Sequence, residues 1–448
     1  MRDFSKRIPE LDGIRGTAIL IVLVFHWIYK DGIPILPNKL QGLLSYGWSG
    51  VDLFFVLSGF LIGGILLDSR DSTNYFKVFY ARRFYRILPL YGALCLWSLA
   101  VFYAHLSTHA WLFQGKIPWY AYLTFGQNFW MAKIHAGFSY QTDVTWSLAI
   151  EEQFYLTLPF VIRVVRRKSL PYVLGTGALL APLIRVALWF ALDPRNRENA
   201  MYFPTPCRLD GLLLGVLAAY AVRSPAYWDW LVAHKGIIGT TSVILGVGIL
   251  EMIHKRVEHS FPFTPLCFTW IALFYLSLLL LAVTQRGFVS RLFRFRPLTE
   301  LGILAYGLYL FHEPVLGLVY GLAGYASPKL TGLSTIGLTL LSGLLVFALT
   351  RLSWLYFEKP LLRRGHRYQY HYGHDQTELK ADEEKAPAGE VSAASTLETP
   401  GVPVVDALRG GFAASRASGE TFAMPNGPES GLKSEAGLPR ERGPKHYH

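Results

Sequence analysis

Cysteine and charge are both scarce in this chain. Three cysteines (Cys95, Cys207 and Cys267) stand among 448 residues, each within or at the edge of an apolar segment. That number and placement exclude a disulfide framework and a cysteine-based zinc site, and no metal is expected. Charged residues make up only 17% of the chain, and the acidic ones are the rarer, 31 Asp and Glu against 43 Lys and Arg. The resulting net charge of +12 would suit a nucleic-acid partner if it were gathered on one face. Instead the basic residues fall in short clusters between apolar runs, the pattern of membrane topology, and no nucleic acid is expected.

What the chain has in abundance is apolar sequence. Hydrophobic residues make up 52%, aromatics 15%, and the mean hydropathy is +0.29. A soluble protein has no need of apolar runs this long and this frequent. The class expected is an all-α polytopic membrane protein with about ten transmembrane helices. They fall near Ile14–Tyr29, Gly47–Leu67, Leu88–Leu106, Trp146–Val165, Tyr172–Leu192, Leu209–Val222, Gly236–Met252, Pro265–Val283, Leu301–Tyr325 and Leu333–Phe357. The basic start (Arg2, Lys6, Arg7) resembles a signal peptide. Arg15 interrupts the run, however, and no small-residue cleavage site follows, so an uncleaved first helix is expected.

Loop charge sets the orientation. One set of loops holds Arg70, Lys77, Arg82, Arg83 and Arg86, then Arg163, Arg166, Arg167 and Lys168, then Arg286, Arg291, Arg294 and Arg296. The other set holds only scattered cations such as Lys30, Lys116, Lys133 and Arg256. The positive-inside rule therefore places both termini on the inner side. The longest outer connection, Ser107 to Thr145, carries Trp111, Trp119, Tyr120, Tyr122 and Trp130. It reads as an interfacial or re-entrant cover, with a glycan-stacking lid as the alternative. From 368 to 448 the chain is rich in Gly, Ala, Pro, Ser and Glu without apolar periodicity. A disordered cytoplasmic tail is expected there, leaving 1–367 as the membrane domain.

Given that topology, the polar residues inside the apolar segments acquire heights. Arg15 and His26 are eleven residues apart in the first segment, on nearly the same helix face and roughly 16 Å apart along the axis. His26 falls in its outer third and Asp52 in the outer third of the second. Ser147, Glu151 and Tyr155 form an i, i+4, i+8 stripe on the fourth. Arg185, Arg208 and Asp210 belong to the outer half, and His312 lies nearer the middle of the ninth. Intramembrane charges are costly and mark function by default, although structural ion pairs produce the same pattern. The chemistry they suggest is general-base catalysis. A neutral His26 imidazole takes a hydroxyl proton while Asp52 or Glu151 orients it and stabilises the imidazolium. An acyl-histidine intermediate is the alternative route. Trp146, Ser147, Tyr155, Arg185, Arg208, Asp210 and His312 are the candidates for substrate contact. On the inner side Arg82, Arg83 and Arg86 form a basic patch suited either to lipid headgroups or to the phosphates of a cytosolic donor, with Arg15 within reach.

These stretches resemble the acyltransferase 3 family of integral membrane enzymes. RIPELDGIRGTAILIVLVFH carries the family's Arg–x(10)–His as Arg15 and His26. GVDLFFVLSGFLI resembles its second-helix signature, RRFYRILPLY its R-x-x-R at Arg83 and Arg86, and TWSLAIEEQFYL its W-S-L-x-x-E at Trp146 and Glu151. LAYGLYLFHEPVL and YFEKP match its closing elements more loosely. The resemblance implies a multi-pass protein of the bacterial plasma (inner) membrane. It implies an acyl-CoA donor, acetyl-CoA above others, a carbohydrate or lipid-linked acceptor, an essential His26, and donor contacts from Arg15, Arg83 and Arg86. Motif spacing favours Glu151 over Glu152. Some members of the family carry an additional soluble esterase-like domain. Its absence here leads one to expect a stand-alone enzyme or one working with a separate partner. The competing class, a transporter or proton-coupled carrier, predicts internal repeats, and neither the Arg–x(10)–His nor the W-S-L-x-x-E element has a second copy.

Overall fold

A computed structural model describes residues 7–29, 38–103, 117–133, 141–255, 263–284 and 287–372. Lys30, Trp111, Lys116, Arg256, Arg286 and the tail beyond 372 lie outside the described residues. Among the described residues the chain is helical and contains no strand. Ten main helices run in order: α1 (Pro9–Val24), α2 (Gly50–Asp68), α3 (Tyr75–Tyr103), α4 (Thr145–Val164), α5 (Leu170–Ala191), α6 (Leu209–Ala221), α7 (Lys235–Lys255), α8 (Phe263–Val283), α9 (Arg296–Leu322) and α10 (Leu333–Ser353). Each coincides with one of the ten expected segments.

Among the described residues eight helices are long and apolar enough to cross a membrane, or nine if a bent pair counts as one span. The two expected segments outside the eight differ for separate reasons. At 20 residues α4 is long enough, but it carries Glu151, Glu152 and Arg163. With only 13 residues α6 spans roughly 20 Å at 1.5 Å per residue, short of the ~30 Å hydrocarbon core. It continues through a 101° bend into Pro225–Ala233. A second departure is at α3, which begins at Tyr75 rather than near Leu88. The arginine patch therefore lies within the helix, one turn and more inside its start.

The bundle is arranged inside out relative to a soluble protein. On α5, α7 and α10 most of the exposed positions are apolar, among them Leu179, Leu183, Phe190, Val243, Val247, Leu340 and Leu344. The inner helix α2 is buried almost along its length. With lipid outside, burial of apolar surface no longer selects which faces meet, and close backbone approach takes over. Two crossings show it. A Cβ at Gly16 would lie 1.8 Å from the Leu298 carbonyl oxygen, and one at Gly302 would lie 1.9 Å from that of Asp12, which fixes α1 against α9. A Cβ at Gly59 would lie 1.9 Å from the Leu212 carbonyl oxygen, and one at Gly215 would lie 2.2 Å from that of Val56, which fixes α2 against α6.

The connection between α3 and α4 is partly described. Trp119–Leu123 and Gln127–Met131 form two short helices pinned to the bundle by buried amides. Gln127 donates to the Thr145 carbonyl (3.0 Å), Asn128 to the Phe203 carbonyl (3.2 Å), and Gln153 on α4 to the Phe125 carbonyl (2.6 Å). Trp119 and Tyr120 remain exposed.

The glycine crossings lead to a direct expectation. Gly59→Ala forces α2 and α6 apart and lowers stability by about 1–3 kcal/mol, read as a fall in the unfolding temperature in detergent. Gly92→Ala on α3, where a Cβ meets nothing within 4 Å, leaves that temperature in place.

Candidate active site

Five helices wall a cavity of about 310 Å³. Arg15 comes from α1, Ser58 from α2, Arg83 and Arg86 from α3, Ser147, Glu151 and Tyr155 from α4, and Tyr306 and Tyr309 from α9. The i, i+4, i+8 stripe on α4 therefore faces one space, and the i, i+3 arginines of α3 face it from the other side. The hydroxyls are fixed by one another and by backbone. Ser58 pairs with Tyr155 (2.5 Å) and Ser147 with Tyr309 (2.5 Å), and Tyr306 donates to the Ile87 carbonyl (2.8 Å). Arg15 is braced by Asp12, 3.0 Å away and itself held by Arg7 at 2.7 Å. Arg15 is paired with Asp12, and Arg83 and Arg86 face a single lining carboxylate, Glu151, so the wall keeps a net positive charge. Such a wall attracts a multiply charged anion, and arginine forks suit phosphate oxygens. Glu151 lines this cavity and Glu152 does not.

Arg82 is occupied elsewhere. Its Nε and Nη2 donate to the Tyr368 carbonyl (2.9 and 2.6 Å), and its guanidinium sits over the Tyr370 ring at 5.2 Å. The segment it holds is also tied to the turn before α3, through Thr73 N to the His371 carbonyl and Asn74 Nδ2 to the Gln369 carbonyl, both 2.8 Å. Residues 368–372, expected at the start of the tail, are thus bonded to the helical unit. A smaller cavity of about 100 Å³ lies beneath them. It is lined by Arg82, His366 and Tyr370 and shares Ile65, Arg83 and Arg86 with the main one.

His26 does not line the main cavity. It sits in a π-helical turn, Phe25–Tyr29, that continues α1, a distortion that often accompanies function. Its Nδ1 is 2.9 Å from the Val22 carbonyl oxygen. That oxygen only accepts, so in the neutral ring Nδ1 carries the proton and Nε2 the lone pair. The carboxylate facing Nε2 is Glu313 of α9, at 3.6 Å, rather than Asp52 or Glu151. The His312 ring meets the His26 ring edge-on at 4.9 Å and the Tyr309 ring at 5.7 Å. Tyr306, Tyr309 and His312 thus lead along α9 from the arginine-lined space to His26.

Asp52 belongs to a third group. It accepts from Arg208 at 2.8 Å, and Asp210 accepts from Arg185 at 2.9 Å. Both arginines are essentially inaccessible, at 1% and 0% exposure. Arg185 also donates to the Pro265, Cys207 and Thr269 oxygens. Arg208 is packed among the rings of Phe55, Trp146, Tyr202 and Phe268, the last 4.1 Å from its guanidinium carbon. The expected single layer of polar residues therefore resolves into a cationic cavity, a histidine–carboxylate pair and a double ion pair in an aromatic cage. Glu313, Ser58, Tyr306 and Tyr309 were not singled out by the sequence. The signal for Glu313 was present, a carboxylate beside His312 in an apolar helix.

The fold and these three groups define an integral membrane protein that builds an arginine-lined cavity connected along α9 to a partly buried histidine. A family model described as an acyltransferase domain matches residues 8–355, and the chain belongs to the acyltransferase 3 family. It is similar to the peptidoglycan O-acetyltransferase OatA of Listeria monocytogenes, 26% identical over 390 residues, which covers 80% of this chain and 56% of that protein. It is also similar to the O-acetyltransferase OatA of Staphylococcus aureus strain NCTC 8325, 24% identical over 371 residues, covering 80% of this chain and 58% of that protein. The chain thus spans somewhat more than half the length of these curated relatives. No solved structure gives a significant match.

The double ion pair yields a prediction. Asp52→Ala leaves Arg208 as an uncompensated buried cation and is expected to cost about 3–5 kcal/mol of stability, read by thermal unfolding in detergent. The fraction that folds keeps its affinity for the donor. Unchanged stability with a selective loss of transfer rate would assign Asp52 to the chemistry instead.

Proposed function

We propose that this protein is a membrane O-acyltransferase that moves an acyl group, acetyl above others, from acyl-CoA to a hydroxyl of a carbohydrate. The observation that carries this reading is the convergence of Arg15, Arg83 and Arg86 on one cavity whose α9 wall leads to His26. The phosphates of the donor are held by the three arginines. The smaller cavity beside them offers further room at Arg82 and His366. The pantetheine arm runs along Tyr306 and Tyr309 and brings the thioester to His26.

There the acceptor hydroxyl loses its proton to His26 Nε2 as its oxygen attacks the thioester carbonyl. The tetrahedral intermediate collapses, the carbon–sulfur bond breaks, and the coenzyme A thiolate leaves and takes up the proton from the imidazolium. The alternative order forms an acyl-histidine first, with the thiolate expelled before the hydroxyl attacks. Both orders use the same Nε2 lone pair. The relatives' names point to a cell-wall glycan of the peptidoglycan type as the acceptor. The cationic loops support a reading with both termini inside, in which donor entry is cytoplasmic and transfer occurs toward the outer side of a bacterial plasma membrane.

Thioester loss from acetyl-CoA by the purified protein, with offered glycan fragments, tests this. His26→Ala is expected to slow transfer by about 10²–10⁴-fold. Arg83→Ala is expected to raise the donor KM about tenfold or more, the loss of one charge-assisted contact. A folded His26→Ala protein transferring at the wild-type rate would overturn the assignment.

A further inference from the structure

Buried carboxylates in this bundle have different kinds of partner. Glu10, wholly buried, accepts from Arg294 at 2.6 Å and Ser290 at 2.9 Å. Asp52 and Asp210 accept from Arg208 and Arg185. In each case the arginine partner is a permanent cation, so each ion pair is complete at all times and its energy is spent on holding helices together. Glu313 is as deeply buried, with 0% exposure, yet it faces an imidazole across 3.6 Å. An imidazole is charged only while it holds a second proton.

We propose that Glu313 acts through His26: it balances the imidazolium that forms during transfer. This inference rests on the reading of His26 as the base. The Coulomb attraction is absent while His26 is neutral and present once Nε2 has taken the acceptor's proton. It therefore stabilises the transition state in preference to the ground state, and only such interactions raise kcat. The surroundings fix the pair. Nδ1 is committed to the Val22 carbonyl, which turns Nε2 toward α9. Trp27, in the same π turn, donates its indole N–H to the His312 carbonyl at 3.4 Å, tying the turn to α9 at this level. Pro314, next to Glu313, lacks the N–H that would bond the Leu310 carbonyl and loosens the helix where the carboxylate must lean toward α1. Among the described residues, the titratable groups of α9 that meet the His26 ring are Glu313 and His312, with Tyr309 packed on the far side of His312.

The experiment compares Glu313→Gln, Glu313→Asp, His26→Ala and the double variant His26→Ala/Glu313→Gln in full-length protein, with acetyl-CoA as donor. Glu313→Gln keeps shape and polarity but removes the charge. It is expected to lower kcat by about 10²-fold, the lower end of what general-base catalysis contributes, with the donor KM within about twofold of wild type. Glu313→Asp restores a charge at a longer reach and recovers part of that loss. The double variant transfers no more slowly than His26→Ala alone, because Glu313 acts through His26. Wild-type kcat in Glu313→Gln, or an equal further loss on top of His26→Ala, would overturn the proposal while leaving His26 as the base. Wild-type transfer by His26→Ala would remove the parent reading itself. If Glu313→Gln does not survive extraction, Glu313→Asp decides: a reduced kcat at unchanged donor KM supports the role, and a wild-type kcat overturns it.

Discussion

A charge placed inside this bundle has to carry its compensation with it. Neither lipid nor a packed helix interior solvates an ion, and an isolated one costs several kcal/mol even after relaxation. The arrangement follows from how each charge meets that demand. Arg185 and Arg208 are matched by Asp210 and Asp52 within 3 Å, and Glu10 is matched by Arg294. Arg83 and Arg86 open into a cavity that holds Glu151 as its carboxylate, so the wall keeps an excess of positive charge for a ligand to neutralise. His26 and Glu313 form a pair whose attraction depends on a proton. Matched charges build the frame, and the imbalance and the titratable pair are where binding and chemistry can occur.

Glycine brings these groups within range. The approach of α1 to α9 at Gly16 and Gly302 lets two helices nearly 300 residues apart in sequence share a site, with Arg15 at one level and His26 against Glu313 at another. The α2–α6 crossing at Gly59 and Gly215 does the same for Asp52 and Arg208. In both cases a methyl group in place of a hydrogen would push a helix outward and separate oppositely charged partners. Packing precision and electrostatic compensation are therefore one requirement, met by residues without side chains. The π turn at Phe25–Tyr29 and Pro314 in α9 add the local departures from regular helix that allow His26 and Glu313 to face each other.

Much of this was legible from the chain alone, because membrane helices announce themselves by length and apolarity and their unusual residues stand out against that background. The ten helical segments, the Arg15–His26 register, the Ser147–Glu151–Tyr155 stripe and the arginines of α3 all follow from short-range periodicity, as does membership of the acyltransferase 3 family through its ordered motifs. What periodicity leaves open is azimuth and partner. Hydropathy gives a residue its height along a helix but not the neighbour it faces, so Asp52, Glu151 and His26 shared a layer on paper. Only the rotation of each helix, fixed for α1 against α9 and α2 against α6 by the glycine crossings, sends Asp52 to Arg208, Glu151 into the cavity with Arg83 and Arg86, and Glu313 to His26. Likewise Arg82 belongs by sequence with Arg83 and Arg86, yet a step of one residue turns it by about 100°, onto the Tyr368 carbonyl and away from the main cavity. The sequence determined which charges enter the bundle and at what depth; the tertiary packing decided which of them are satisfied, because pairing depends on the face of a helix rather than on the order of its residues.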